Sequence, residues 1–144
     1  MLLGSREFIA KARIGRKLLG GGMRQAGVIA AAGLIALEES PKRLHEDQAN
    51  AQHLARGLAG LQGISIDPRN VATNIVIFDV QGTGRTAAEI SDEIGRLNVL
   101  CSATDKFAVR MVTHCDVDRA GVEKAIRAVA KVVGERSRTS AKTS

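Results

Sequence analysis

The sequence predicts an α+β fold in which an antiparallel sheet is covered by helices. Two segments read most clearly as strands: Asn74 to Val80, rich in β-branched residues, and Phe107 to Val112, in which larger and smaller side chains alternate. Three segments carry apolar residues at helical spacing. Between residues 41 and 134 the order is helix, two strands, helix, two strands, helix. Short sequential strands with interspersed helices point to one sheet with helices layered on it.

Taken in order, Glu7 to Leu19 is helix-compatible and strongly basic, and Gly20-Gly21-Gly22 breaks it. Met23 to Glu39 is helical again, with Ala, Val, Ile and Leu on almost every side. A helix apolar all round belongs inside a larger body. Ser40-Pro41 reads as an N-cap with proline at the first helical position. Beyond it, Leu44, Ala51, Leu54, Leu58 and Leu61 form one stripe of an amphipathic helix over about 42–61.

Gly63 releases that helix into a short strand at Ile64-Ser65-Ile66. Asp67-Pro68-Arg69-Asn70 is turn chemistry. After the strand 74–80 and a loop at Gln81-Gly82-Thr83-Gly84, Thr86 and Glu89 match a capping box. They open a helix whose inner face is Ile90, Ile94 and Leu97. Strands are expected at Asn98–Cys101 and Phe107–Val112. Asp116 or Asp118 then caps a last helix carrying Val122, Ala125, Ile126, Val129 and Val133. Residues 135–144 read as a disordered polar tail.

Composition narrows the function classes. With 44% hydrophobic and 25% charged residues the chain is ordinary globular material. Only three Phe and no Trp or Tyr are present, so the core must be aliphatic. The net charge of +6 is concentrated in residues 1–24, which hold six Lys or Arg against Glu7 alone. That arm suits an anion-binding edge. A nucleic-acid role is disfavoured, because no aromatics are interleaved for base stacking and no DNA- or RNA-binding signature is present. The longest nearly apolar run, Ala26 to Leu37, falls short of the ~20 residues a membrane span needs. Cys101 and Cys115 form no CxxC and are expected as buried free thiols, which with the lack of a signal-peptide pattern suggests a reducing, cytoplasmic setting.

Two features could carry chemistry. In Lys17-Leu-Leu-Gly-Gly-Gly-Met-Arg24, glycines ahead of a helix could offer backbone N–H groups to a phosphate or carboxylate, with Lys17 and Arg24 supplying charge. The alternative is a plain inter-helix joint with a solvated basic flank. Arg110 shares a strand face with Ala108 and Val112, and its planar fork suits bidentate capture of a carboxylate. A structural ion pair to an Asp, or an exposed sheet face, would explain it equally. Thr113-His114-Cys115-Asp116 gathers reactive residue types, but spacing assigns no metal site. If these residues continue the strand, adjacent side chains point apart. His114 is expected to make local hydrogen bonds, and Asn74 to close a turn.

Four strings carry a resemblance. Arg16-Lys-Leu-Leu-Gly-Gly-Gly-Met-Arg-Gln-Ala-Gly27, Thr73-Asn-Ile-Val-Ile-Phe78 and Val109-Arg-Met-Val-Thr-His114, with Gly4-Ser-Arg-Glu-Phe8 ahead of them, resemble low-specificity L-threonine aldolase. The resemblance implies a fold type I enzyme dependent on pyridoxal 5'-phosphate (PLP), cleaving β-hydroxy-α-amino acids to glycine and an aldehyde. It implies that 1–40 end the large cofactor-binding domain and 41–134 form the small C-terminal domain. Arg110 would grip the substrate α-carboxylate. Lys17 and Arg24 would reach the active site of a neighbouring subunit in a homodimer or homotetramer.

The resemblance also implies a Schiff-base lysine shortly before Gly4-Ser5, and a phosphate loop, a ring-stacking histidine and a pyridinium-pairing aspartate further upstream. None has a counterpart in these 144 residues. No catalytic residue is therefore assigned within the chain, since Lys11 and Lys17 lack the flanking residues of the cofactor lysine. The expectation is an enzyme portion inactive by itself. The alternatives are a truncated or split-gene product without activity, a related PLP β-eliminating lyase, or a small-molecule-binding α+β module.

Overall fold

The computed structural model describes residues 2–134, which divide into two compact units on either side of the Lys42–Arg43 link. The tail expected to be disordered, 135–144, lies outside the described residues.

The first unit holds α1 (Arg6–Leu18) and α2 (Gly27–Glu38). Ser5 caps α1, its hydroxyl accepting from the Phe8 N–H at 3.2 Å. Glu7 in the first turn and Arg16 and Lys17 in the last complement the helix dipole. The predicted helix from Met23 begins four residues later, at Gly27, because the chain makes a further turn over Arg24–Ala26. Neither helix has a buried residue: Val28, Ile29, Leu34, Ile35 and Leu37 of α2 all stand exposed.

The unit boundary falls in the first turn of α3 (Ser40–Ala59). Ser40 is already helical and is not the cap expected, and the Glu39 carbonyl ahead of it accepts from the Lys42 N–H at 3.2 Å. Ala51, Leu54, Ala55 and Leu58 are buried, as the stripe required. Leu44, one stripe member, is exposed, since the core begins at Ala51, about two turns beyond it.

The rest of the second unit comprises β1 (Ile75–Asp79), α4 (Ala87–Arg96), β2 (Ser102–Ala103), β3 (Ala108–Val112) and α5 (Arg119–Gly134). The strands form one antiparallel sheet in the order β1-β3-β2. Val76, Phe78, Val109 and Met111 point into the core, where they join Leu54 and Leu58 of α3, Ile90 and Ile94 of α4, and Val122 and Val129 of α5. Three helices thus seal one face of the sheet, and the core is aliphatic apart from Phe78.

Two predicted strands shrink. Ile64–Ile66 survives as a single bridge from Ser65 to Asp79. Asn98–Cys101 does not pair at all, and β2 lies just after it. Val99 and Cys101 turn inward while Leu100 is 92% exposed, so this segment alternates like a strand without a partner. Asn98 itself sits at φ 56°, the left-handed conformation that lets the chain leave α4.

Close approaches lock the packing. A Cβ on Gly57 would come within 2.5 Å of Ile126, so the absent side chain lets α5 lie against α3. Gly63, at φ +83°, and Gly82 bring two loop backbones together, and a Cβ on Gly82 would sit 3.0 Å from the Gly63 Cα. The capping box is formed in full: Thr86 Oγ1 accepts from the Glu89 N–H, and the Glu89 carboxylate accepts from the Thr86 N–H at 2.9 Å. Arg85 is buried, bonding the Glu93 carboxylate at 2.6 Å and donating to the Val132 carbonyl at 3.3 Å. His53 on α3 bonds the Glu123 carboxylate on α5.

Candidate functional site

The face of the sheet away from the core carries Arg110. Because side chains alternate, burying Val109 and Met111 sends Arg110 and Val112 to the opposite side. Across the sheet Arg110 stands between Ile77 on β1 and Ser102 on β2, and Val112 faces Ile75. Ile75, Ile77 and Val112 are all exposed, so the guanidinium rises from an apolar floor. Among the described residues it makes no hydrogen bond and no ion pair. Asp79, next to Ile77's position on the same face, is not its partner; that carboxylate accepts from the Gln81 N–H at 2.8 Å. The ion pair considered from the sequence is thus absent among the described residues, and the cost of burying Arg110 does not arise in this chain. Five unengaged N–H donors in a fixed fork are suited to a carboxylate.

A cleft of about 500 Å³ adjoins this strand, lined by Asn98 to Ser102, by Arg110 to His114 and by the start of α5. It exists because β2 pairs with β3 only at Arg110 and Val109, leaving the strand edge open beyond them. Lys124 lines the cleft too, its ammonium held by the Asn98 carbonyl at 2.9 Å. Among the described residues no acidic side chain lines it. Cys101, half-buried here, has its thiol pushed above the ordinary range by burial, which leaves it a poor nucleophile.

The strand end is firmly pinned. Thr113, buried, donates its hydroxyl proton to the Asp47 carbonyl at 2.8 Å, and its N–H to the Asn74 carbonyl at 2.9 Å. The Asn74 amide returns a bond to the Thr113 carbonyl at 2.6 Å. Asn74 is therefore a cross-strand clamp instead of the turn-closing residue expected. It fixes β3, and with it Arg110, against β1 and α3.

Lys17 and Arg24 lie in the first unit, where, of the two readings left open for the glycine-rich string, the backbone bonds favour the joint at the end of α1. Gly20 adopts φ +79° and its N–H, with that of Gly21, bonds back to the Lys17 and Arg16 carbonyls. These groups close the end of α1 and are not offered to an anion. The glycines also stop short of α2 by the turn at 24–26. What remains for a phosphate is charge: the Lys17 side chain folds over Gly22, where a Cβ would meet its Nζ at 3.3 Å. Lys17 and Arg24 suit a charge contact to a phosphate approached from outside, and not a backbone cradle.

Cys115 is exposed and not buried as expected, because β3 ends at Val112 and residues 115–116 form a turn. His114 accepts from the Asp116 N–H at 3.3 Å, the local bond anticipated. The turn also gathers the side chains of His114, Cys115 and Asp116, with ligand atoms all within 4.8 Å of one another. Reading the residues as a continued strand concealed this.

Comparison with known proteins gives these features a setting. Residues 1–83 match the beta-eliminating lyase family. The chain is 36% identical to low-specificity L-threonine aldolase 1 of Arabidopsis thaliana over 123 residues, covering 85% of this chain and 34% of that protein. It is 37% identical to the probable low-specificity L-threonine aldolase 2 of the same plant, covering 92% of this chain and 38% of that protein. It is 39% identical to low specificity L-threonine aldolase of Escherichia coli (strain K12), covering 83% and 34% respectively. The chain thus spans little more than a third of the length of these relatives. Among solved structures, MppP soaked with the product 2-ketoarginine superposes with a TM-score of 0.53 at 19% identity, covering 69% of this chain and 30% of that one. At that identity the likeness speaks to the fold alone, the α+β arrangement with a small antiparallel sheet. By its match over residues 1–83 and its kinship with the aldolases, the chain belongs to the beta-eliminating lyase family.

Proposed function

We propose that this chain is the C-terminal portion of a PLP-dependent threonine or allo-threonine aldolase, cleaving β-hydroxy-α-amino acids to glycine and an aldehyde. The observation that carries the reading is Arg110, a guanidinium without a protein partner among the described residues, on an apolar sheet face pinned by Thr113 and Asn74. Such a group binds an amino acid α-carboxylate through two parallel N–H···O bonds and sets the substrate's orientation. Ile75, Ile77 and Val112 give it an apolar floor, which would strengthen the contact once this exposed face is covered. Lys17 and Arg24 approach a neighbouring subunit's site, where their charges meet a phosphate or carboxylate. PLP, when bound, supplies the electron sink for breaking the Cα–Cβ bond. The exposed apolar flank of α2 supports a homodimer or homotetramer in the complete enzyme. Among the described residues no helix is long and apolar enough to cross a membrane, and a cytoplasmic enzyme without nucleic-acid partners is the reading that fits.

The chain's 144 residues hold no lysine in the setting of the family's cofactor lysine, so we expect no aldolase activity from it alone. The test begins with the DNA upstream of the coding frame. A segment encoding that lysine and a phosphate loop, coexpressed with the chain, should release acetaldehyde from L-threonine or L-allo-threonine. Arg110→Ala in the pair should raise KM by about a hundredfold, since a charged hydrogen-bonded contact contributes ~2–3 kcal/mol. Aldehyde release that is indifferent to Arg110→Ala would remove the assignment. The family match favours one second reading, a β-eliminating lyase, which would yield ammonia and a keto acid and no glycine.

A further inference from the structure

We propose that the turn after β3 is a surface site for a borderline-soft divalent ion of the Zn²⁺ class, held by His114, Cys115 and Asp116. The three offer one imidazole nitrogen, one sulfur and one carboxylate oxygen, a donor set that selects zinc-like ions over Mg²⁺ or Ca²⁺. Their spacing is near that of a coordination shell. Bonds of about 2.0–2.3 Å in tetrahedral geometry place ligand atoms roughly 3.3–3.6 Å apart. His114 Nδ1 lies 3.4 Å from one oxygen of Asp116, and Cys115 Sγ lies 3.9 Å from the other. Rotation of the exposed His114 ring, which gives up the bond its Nδ1 accepts from the Asp116 N–H, and of the Cys115 and Asp116 side chains completes the set and leaves a fourth position for water.

The backbone beneath is already fixed, so binding need not order it. The Val117 N–H closes the turn on the His114 carbonyl at 2.8 Å, and the Asn50 amide holds the Val117 carbonyl at 3.1 Å. Thr113 anchors the other end to α3. The surrounding charges do not repel a cation. The adjoining groove of about 450 Å³ has Glu46, Asp47 and Asp118 along it against Arg43 and Arg119, and Arg43 is paired with Glu46 at 3.0 Å. Binding displaces the Cys115 thiol proton to solvent, so affinity rises with pH. His114 also lines the cleft beside Arg110, so an occupied site alters one wall of that cleft. The proposal does not depend on the aldolase reading.

Cobalt is the probe, because a thiolate–Co²⁺ bond gives a near-ultraviolet charge-transfer band. The full 144-residue chain, free of any affinity tag and kept reduced, should develop that band on titration with Co²⁺ and lose it to stoichiometric Zn²⁺. Cys101→Ser should keep it. Cys115→Ser should abolish it, and His114→Ala should weaken Zn²⁺ binding by about tenfold or more. Circular dichroism establishes that each variant is folded, and X-ray absorption of the Zn²⁺-loaded parent chain should show one sulfur at about 2.3 Å. A parent chain without the band at millimolar Co²⁺, a band surviving Cys115→Ser, or a zinc shell lacking sulfur would each overturn the site.

Discussion

The two units put their apolar residues to opposite use. The second buries them: Phe78, Ile90, Ile94, Val109 and Val129 are sealed between one sheet face and three helices. The first displays them: α2 is almost wholly aliphatic, yet none of its side chains is buried. Hydrophobicity alone therefore does not mark a core. The second unit pairs amphipathic elements whose stripes meet, whereas α2 has apolar residues on all sides and can be satisfied only by surfaces on all sides. One unit is built to stand, the other to be covered.

Substitutions can break that comparison. Phe78→Ala should destabilise the chain most, by about 3–5 kcal/mol in urea unfolding, through lost burial and a residual cavity. Arg85→Ala comes next, at about 2 kcal/mol, because it leaves the Val132 carbonyl without its donor while Glu93 can rehydrate. Arg85→Met, which keeps the packing of the stem, would separate that bond from the contacts of the chain. Thr86→Ala should cost about 1 kcal/mol by undoing the capping box.

The His53–Glu123 bond predicts a pH dependence. His53 hydrogen-bonds Glu123 and holds its carboxyl below the ordinary range. A carboxylate depressed in the folded state contributes stability that is complete above its unfolded pKa and lost as pH falls through the folded value. The melting temperature should therefore decline as pH drops from the ordinary glutamate range, and Glu123→Gln should flatten the decline. It will not abolish it, since Arg69 lowers Asp67 and Arg43 lowers Glu46 in the same sense. The smallest effect should come from Ile29→Ala on α2, within about 0.5 kcal/mol in the isolated chain. A loss there comparable to Phe78→Ala would show that the first unit has a core of its own.

Much of this was legible in residue order. The alternation in 107–112 placed Arg110 opposite Val109 and Met111 before any coordinates, and the pair Thr86 and Glu89 announced the start of α4. Facing is a local property, which is why it could be read. Pairing is not local. Val99 and Cys101 alternate with Leu100 as a strand would, but only Ser102 and Ala103 reach β3. Strand ends were harder still: continuing the strand three residues past Val112 would set Cys115 apart from His114 and Asp116, and its place beside an apolar stretch made it read as buried. The glycine string stayed open between two readings for another reason. Gly20 and Gly21 can serve an anion or a helix terminus with the same N–H groups, and only the path of the chain decides between them.

The contact between Gly63 and Gly82 has a consequence at a distance. Gly63 lies two residues before Ser65 and Gly82 three after Asp79, the two ends of the lone bridge. Their meeting works as an alignment peg for β1. With the peg seated, Ile77 falls opposite Arg110. Were β1 to slide by one residue, Val76 and Phe78 would turn outward and the odd-numbered side chains inward. The surroundings of the arginine would change without any alteration to the arginine. Two hydrogens in place of side chains thus decide what Arg110 stands beside.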